Sequence, residues 1–146
     1  MLLAAKILLT VSTLGYSAIP FAFDTNKTHW FNHSWTSHAR FHCVWQVMSY
    51  VYIGLVSLYL IWTAGDDSWR LWVPAILALC AYGGFWTAVF LRKRLQLSLV
   101  DEVNGVTPFM LPILGECDAN VTLFSSAVLL LGSASAVLAV ATFPSV

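Results

Sequence analysis

Hydrophobic residues fall into four long runs along the chain, at residues 2–23, 41–63, 71–91 and 121–143, with three polar intervals between them. Each run is near the roughly 20 residues an α-helix needs to cross the hydrocarbon of a bilayer. A spanning segment must satisfy its backbone hydrogen bonds internally, so the pattern predicts an all-α, four-helix transmembrane bundle. Spans and short loops take up nearly all of residues 1–146, and a single integral membrane domain is expected.

Local signals refine the four runs. The first resembles a secretory leader in its apolar core and small residues near Ser17 and Ala18, but it almost lacks a charged start. It therefore reads as a retained span whose exit Pro20 loosens. Ser37 is expected to cap a second helix beginning at His38, and the turn Ala64-Gly65-Asp66-Asp67-Ser68 ends that span. Trp69 and Trp72 open the third span at the opposite interface, with Pro74 in its first turn and Gly83-Gly84 marking a close helix approach. Arg92-Lys93-Arg94 stops it. Two prolines four apart, Pro108 and Pro112, predict a loop or re-entrant turn over residues 108–115. Asp118 or Asn120 is the expected cap of the fourth span, whose Gly132-Ser133-Ala134-Ser135-Ala136 stretch suits tight helix contact.

Composition agrees with membrane residence: 59% of residues are hydrophobic and only 10% charged, against about a quarter charged in soluble domains. The net charge is zero and the seven basic residues form no long run, which argues against a nucleic-acid partner. Cys43, Cys80 and Cys117 have neither CxxC nor metal-finger spacing and read as small packing residues. With four spans, Lys27, Arg40, Arg92, Lys93 and Arg94 share one side and Lys6 and Arg70 the other. The positive-inside bias thus makes the side holding residues 24–37 cytoplasmic. Three N-x-S/T triplets, at Asn26, Asn32 and Asn120, pull the other way, since on a lumenal side they are glycan acceptors.

All four histidines lie in the stretch DTNKTHWFNHSWTSHARFHCVWQVMS, residues 24–49. At about 100° per residue, His38, His42, Trp45, Gln46 and Ser49 share a stripe about 100° wide, polar only in its first turns, with Tyr52, Ile53 and Val56 beyond. Arg40 projects to the other side, toward lipid headgroups. Trp30, Phe31 and Trp35 place the linker before this helix along the headgroups.

Two H-x-x-x-H pairs, His29/His33 and His38/His42, have the spacing with which imidazoles on one helical face chelate zinc, iron or copper. Asp101, Glu102, Glu116 or Asp118 from the facing loop would complete such a shell, so a divalent transition metal is the candidate cofactor. Haem held between two histidines is disfavoured, because all four come from one segment. Acid/base chemistry is the other chemical reading. In it His38 or His42 moves a proton, Gln46 and Ser49 orient the substrate, and Asp24 or Glu116 serves as partner. The purely structural reading has His and Trp anchoring the helix at the interface while Gln46 and Ser49 hydrogen-bond between helices.

The string T-H-x-x-N-x-x-W-x-x-H-A-R-F-H, Thr28 to His42, resembles a motif of small four-span membrane proteins of largely unassigned function. That resemblance implies that the motif acts as one unit and supplies no reaction. In architecture alone the chain is also similar to sterol-isomerase-like membrane proteins, whose bundles enclose a lipid pocket. The sequence thus suggests a small membrane enzyme acting on a hydrophobic or lipid-like substrate through a histidine-rich pocket at one membrane face. The alternative is a non-catalytic accessory or assembly protein whose His/Trp motif recognises headgroups or a larger membrane partner; a homo-oligomer is a further expected association.

Overall fold

The computed structural model describes residues 1–99, 103, 108–113 and 115–143. Asp101, Glu102, Asn104 and Gly105 of the second polar region lie outside these residues. Among the described residues four helices are long and apolar enough to cross a membrane, at Leu2–Asp24, Ser37–Thr63, Trp69–Leu95 and Ala119–Thr142. The chain is an all-α four-helix bundle of multi-pass membrane character.

The first span is two helices, α1 (Leu2–Tyr16) and α2 (Ala18–Asp24), broken at Ser17, where φ is −111° and ψ is −65°. Pro20 has no N–H to offer the carbonyl of Tyr16 and its ring crowds that turn, so the break falls just before the proline. The Ser17 hydroxyl donates to the Thr13 carbonyl at 2.7 Å across it.

Helix α3 (Ser37–Thr63) is capped one residue earlier than the sequence suggests. Thr36, with extended backbone, accepts from the Ala39 amide at 3.1 Å through its hydroxyl, which satisfies one of the orphan donors of the first turn. A 3₁₀ turn over Trp69–Leu71 leads into α4 (Trp72–Leu95). Arg92, Lys93 and Arg94 occupy the last turn of α4, where positive charge complements the helix dipole.

Between α4 and the last span the sequence suggested an irregular or re-entrant turn. The structure has a short antiparallel hairpin, β1 (Phe109–Leu111) and β2 (Gly115–Cys117), with Met110 opposite Glu116. The prolines flank β1 rather than interrupt it, and Gly115 takes the positive φ of +72° that the turn requires. Of the two expected caps for α5 (Ala119–Thr142), Asp118 is used: its carboxylate accepts from the Val121 amide at 2.9 Å.

Helix α1 packs against α3, α4 and α5, while α4 packs against α3 and α5. Small side chains make this possible: Ala5, Ala75, Ala78 and Ala134 are buried with Leu9, Ile61, Leu71, Leu131 and Leu138. A close approach falls at Gly54, where an added Cβ would lie 2.6 Å from the Cβ and hydroxyl of Ser17. The outer surface carries exposed Phe41, Tyr52, Leu55, Tyr59, Trp62, Phe90 and Leu129, a hydrocarbon-compatible skin that in water would be a large apolar patch.

Contacts at the bundle ends fix which loops meet. Lys6 donates to the Gly65 carbonyl at 2.7 Å, and the Trp69 ring meets Phe143 edge to face at 5.1 Å. The 64–71 turn therefore shares one end with the start of α1 and the end of α5. The linker of residues 25–36 lies at the other end.

Candidate functional site

The linker is a knot built by two asparagines. The carbonyl oxygen of the Asn26 side chain accepts from the Thr28 amide at 2.7 Å and the Thr28 hydroxyl at 2.6 Å, while its nitrogen donates to the Phe23 carbonyl at 2.6 Å. Asn32 repeats the device with Ser34, at 3.0 Å to the amide and 2.6 Å to the hydroxyl, and donates to the Thr28 carbonyl at 2.9 Å. Both are turns in which the side chain mimics a backbone acceptor. Two of the three N-x-S/T triplets thus have a folding role, and Asn32 is only 6% exposed. Arg40 was expected to point away to headgroups. It turns instead to the linker and donates to the Asn32 carbonyl at 3.0 Å, tying the knot to the first turn of α3.

The histidines are divided among three environments. His29 places Nδ1 2.7 Å from the Thr28 hydroxyl and 3.7 Å from an Asp24 carboxylate oxygen, with its ring edge-on to Trp35 at 5.3 Å. Asp24 is half-buried at the end of α2, where its carbonyl also accepts from the amides of Asn26 and Trp30. His33 is exposed and makes no side-chain hydrogen bond to another described residue. His38 and His42 bring their Nε2 atoms to 3.1 Å on an exposed face of α3, edge to face at 4.5 Å between ring centres. Phe41 stacks on His38 and Trp45 leans on His42. Among the described residues no group of three or more His, Cys, Asp or Glu is placed to hold a metal ion. Glu116 is exposed on β2, and among the described residues no hydrogen bond or ion pair joins it to a histidine.

Gln46, one turn beyond His42, is also exposed but stands at the edge of a different feature. It lines a partly enclosed cavity of about 200 Å³ together with Tyr16, Pro20, Tyr50, Gly84, Phe85 and Phe124. These residues come from the break in the first span, the first half of α3, the second half of α4 and the start of α5. The cavity therefore lies in the half of the bundle beneath the linker. The Gln46 amide nitrogen reaches the Tyr50 hydroxyl at 3.4 Å, a long hydrogen bond. Behind the cavity Tyr16 shares a 3.0 Å hydrogen bond with buried Ser57, and Tyr82 donates to the Ser12 carbonyl at 2.6 Å. The Tyr16 ring is edge-on to both Tyr50 and Tyr82, at 6.2 and 6.0 Å, the arrangement aromatic quadrupoles favour. Ser49, the last member of the expected stripe, is half-buried and does not line the cavity.

The lining is aromatic and aliphatic with three neutral polar side chains, Tyr16, Gln46 and Tyr50, and no charged side chain. Such a wall suits a largely apolar molecule with one neutral hydrogen-bonding group. It disfavours a phosphate, whose charge would stay uncompensated.

Sequence periodicity led to Gln46 but not to Tyr50, Tyr16 or the α4 and α5 walls. Tyr50 continues the i, i+4 series His38, His42, Gln46 by one more turn, which was a usable signal. Tyr16 carried another: a hydroxylated ring between Gly15 and Ser17, one turn before Pro20, is a polar break in an otherwise apolar span. Comparison of the chain with known protein families, with curated proteins and with solved structures finds no match.

Proposed function

We propose that the protein binds a neutral, single-chain, lipid-like molecule, with the polar end of the molecule at Gln46 and Tyr50 and the ring of Tyr16, whose hydroxyl is bonded to Ser57, as the wall behind it. The carrying observation is the uncharged cavity beneath the linker, lined by those three side chains and the rings of Phe85 and Phe124. Its volume of about 200 Å³ is below the roughly 300–1,000 Å³ usual for a whole drug-sized ligand. It therefore takes the polar end and first carbons of a chain whose remainder lies among the bilayer lipids. A long-chain alcohol, ketone or isoprenoid has this chemistry. A diacyl phospholipid does not.

The groups that meet such a ligand are hydrogen-bonding rather than strongly acidic or basic, so the reading is one of recognition. Turnover by the imidazoles of His38 or His42 would require those rings to leave the outer face of α3. We propose further that the linker end faces the cytoplasm, following the excess of basic residues on that side. Exposure of His38, Phe41, His42 and Trp45 supports a second reading, in which this face meets headgroups or a larger membrane partner.

Photo-crosslinking in lipid nanodiscs tests the first reading, with palmityl alcohol carrying a diazirine near its hydroxyl. Adducts are expected on the α3 and α4 peptides that contain Tyr50 and Phe85, and they should disappear in Gly84→Leu. A Cβ at position 84 makes only ordinary contact, 3.8 Å from the Tyr50 hydroxyl, while the rest of the leucine fills the cavity. Adducts spread evenly over the exposed faces, unchanged in Gly84→Leu, would reject the site.

A further inference from the structure

The histidine pair on the outer face of α3 has a geometry that the lipid site does not use. His38 and His42 stand one turn apart, and their Nε2 atoms lie 3.1 Å from each other. Two imidazole nitrogens at that separation can share one proton or converge on one cation. Zinc binds imidazole nitrogen at about 2.0–2.1 Å. Bonds of that length to two atoms 3.1 Å apart enclose an angle of about 98°, between the right angle of an octahedral or square site and the wider tetrahedral one. The helix thus already holds two soft-to-borderline donors at the spacing a chelated ion requires.

Surrounding contacts hold this arrangement. The Phe41 ring lies parallel to that of His38, 6.4 Å between centres, and Trp45 lies 5.8 Å from His42. The Thr36 cap and the Arg40 bond to the Asn32 carbonyl fasten the helix turn from which both histidines project. The other two histidines are separately disposed: His29 has Nδ1 engaged by Thr28 beside Asp24, and His33 makes no side-chain hydrogen bond among the described residues. Among the described residues no third metal-ligating side chain joins the pair. The remaining coordination positions are thus open to water or to a donor from outside the chain.

We infer that His38 and His42 form a bidentate site for a divalent first-row transition ion of the zinc, nickel and copper class, at the membrane interface where the linker meets α3. Imidazole nitrogens suit these ions, whereas Mg²⁺ and Ca²⁺ take oxygen ligands. The site is independent of the lipid cavity and stands or falls without it.

The test uses the full chain without a histidine tag, stripped with a chelator and placed in phosphatidylcholine nanodiscs. Zn²⁺ binding is followed by calorimetry and Cu²⁺ binding by electron paramagnetic resonance. One ion per chain is expected, with a copper spectrum showing two coupled nitrogens. His38→Ala and His42→Ala should each weaken binding at least tenfold, because a chelate becomes a single ligand. His29→Ala and His33→Ala should change it by less than about twofold. A fifth variant, His42→Ala/Trp45→His, keeps the histidine number but sets the two rings two turns apart on exposed positions, about 10 Å along the helix and too far to share one ion; it should bind as weakly as His42→Ala. Circular dichroism checks that each variant keeps its helices. The inference is overturned if Zn²⁺ binds no better than to empty nanodiscs, if His29→Ala or His33→Ala weakens binding as much as His38→Ala, or if the fifth variant binds like the wild type.

Discussion

Two flanks of α3, one turn apart, differ in what they border, although Gln46 on the first is itself exposed. On one side Gln46 and Tyr50 border a cavity shared with α1, α4 and α5; on the other His38, Phe41, His42 and Trp45 form an exposed aromatic band. At about 100° per residue, buried Val47, Gly54, Ser57 and Ile61 centre about 140° round the helix from His38. Tyr50 lies about 120° from His38 and Gln46 about 80°, but His42 only about 40°. A stripe 100° wide can thus straddle the boundary between core and surface. Periodicity says which side chains share a face, and neighbouring helices decide which part of that face they cover.

Substitutions that separate the two flanks should differ sharply in cost. Gly54→Val on the covered side should cause the largest loss, about 1–3 kcal/mol or more, because its Cβ meets Ser17 at 2.6 Å. Thermal unfolding in nanodiscs reads it, and an unchanged midpoint would show that α3 does not approach the break in the first span so closely. Asn32→Ala comes next, at about 1–3 kcal/mol, since it unmakes three hydrogen bonds around a buried side chain. Faster hydrogen exchange at Ser34, whose amide loses its acceptor, should accompany it. Tyr82→Phe loses the bond to the Ser12 carbonyl, for about 1 kcal/mol. The smallest effect belongs to the exposed flank: His38→Ala and His42→Ala should each move stability by less than about 0.5 kcal/mol. A large loss there would mean that the histidine face is packed against something in the native membrane.

Much of the fold was legible because the bilayer imposes so simple a rule. Runs of apolar residues near the required length gave four spans, and Pro20, Asp118 and the basic triplet at Arg92 to Arg94 marked breaks and ends by local chemistry alone. The hairpin was less legible, since the two prolines argue only against helix and say nothing about which flanking residues pair. Linker geometry was hidden for a related reason. Asn26 and Asn32 read as glycan triplets or generic polar residues, and the turns they make with Thr28 and Ser34 appear only once the backbone closes on itself. The site was half legible: the stripe contained Gln46, but Tyr16, Phe85 and Phe124 reach it from three other helices, and no spacing along one helix can report that.

The most direct measurement is the affinity of palmityl alcohol for three proteins in nanodiscs: wild type, Gln46→Leu and the double variant His38→Ala/His42→Ala. Loss of the amide should weaken binding about tenfold, the equivalent of one hydrogen bond of about 1.4 kcal/mol. The double histidine variant should stay within about twofold of wild type. Equal affinity for wild type and Gln46→Leu, with loss only in the histidine variant, would contradict the assignment and move the binding function to the outer face of α3.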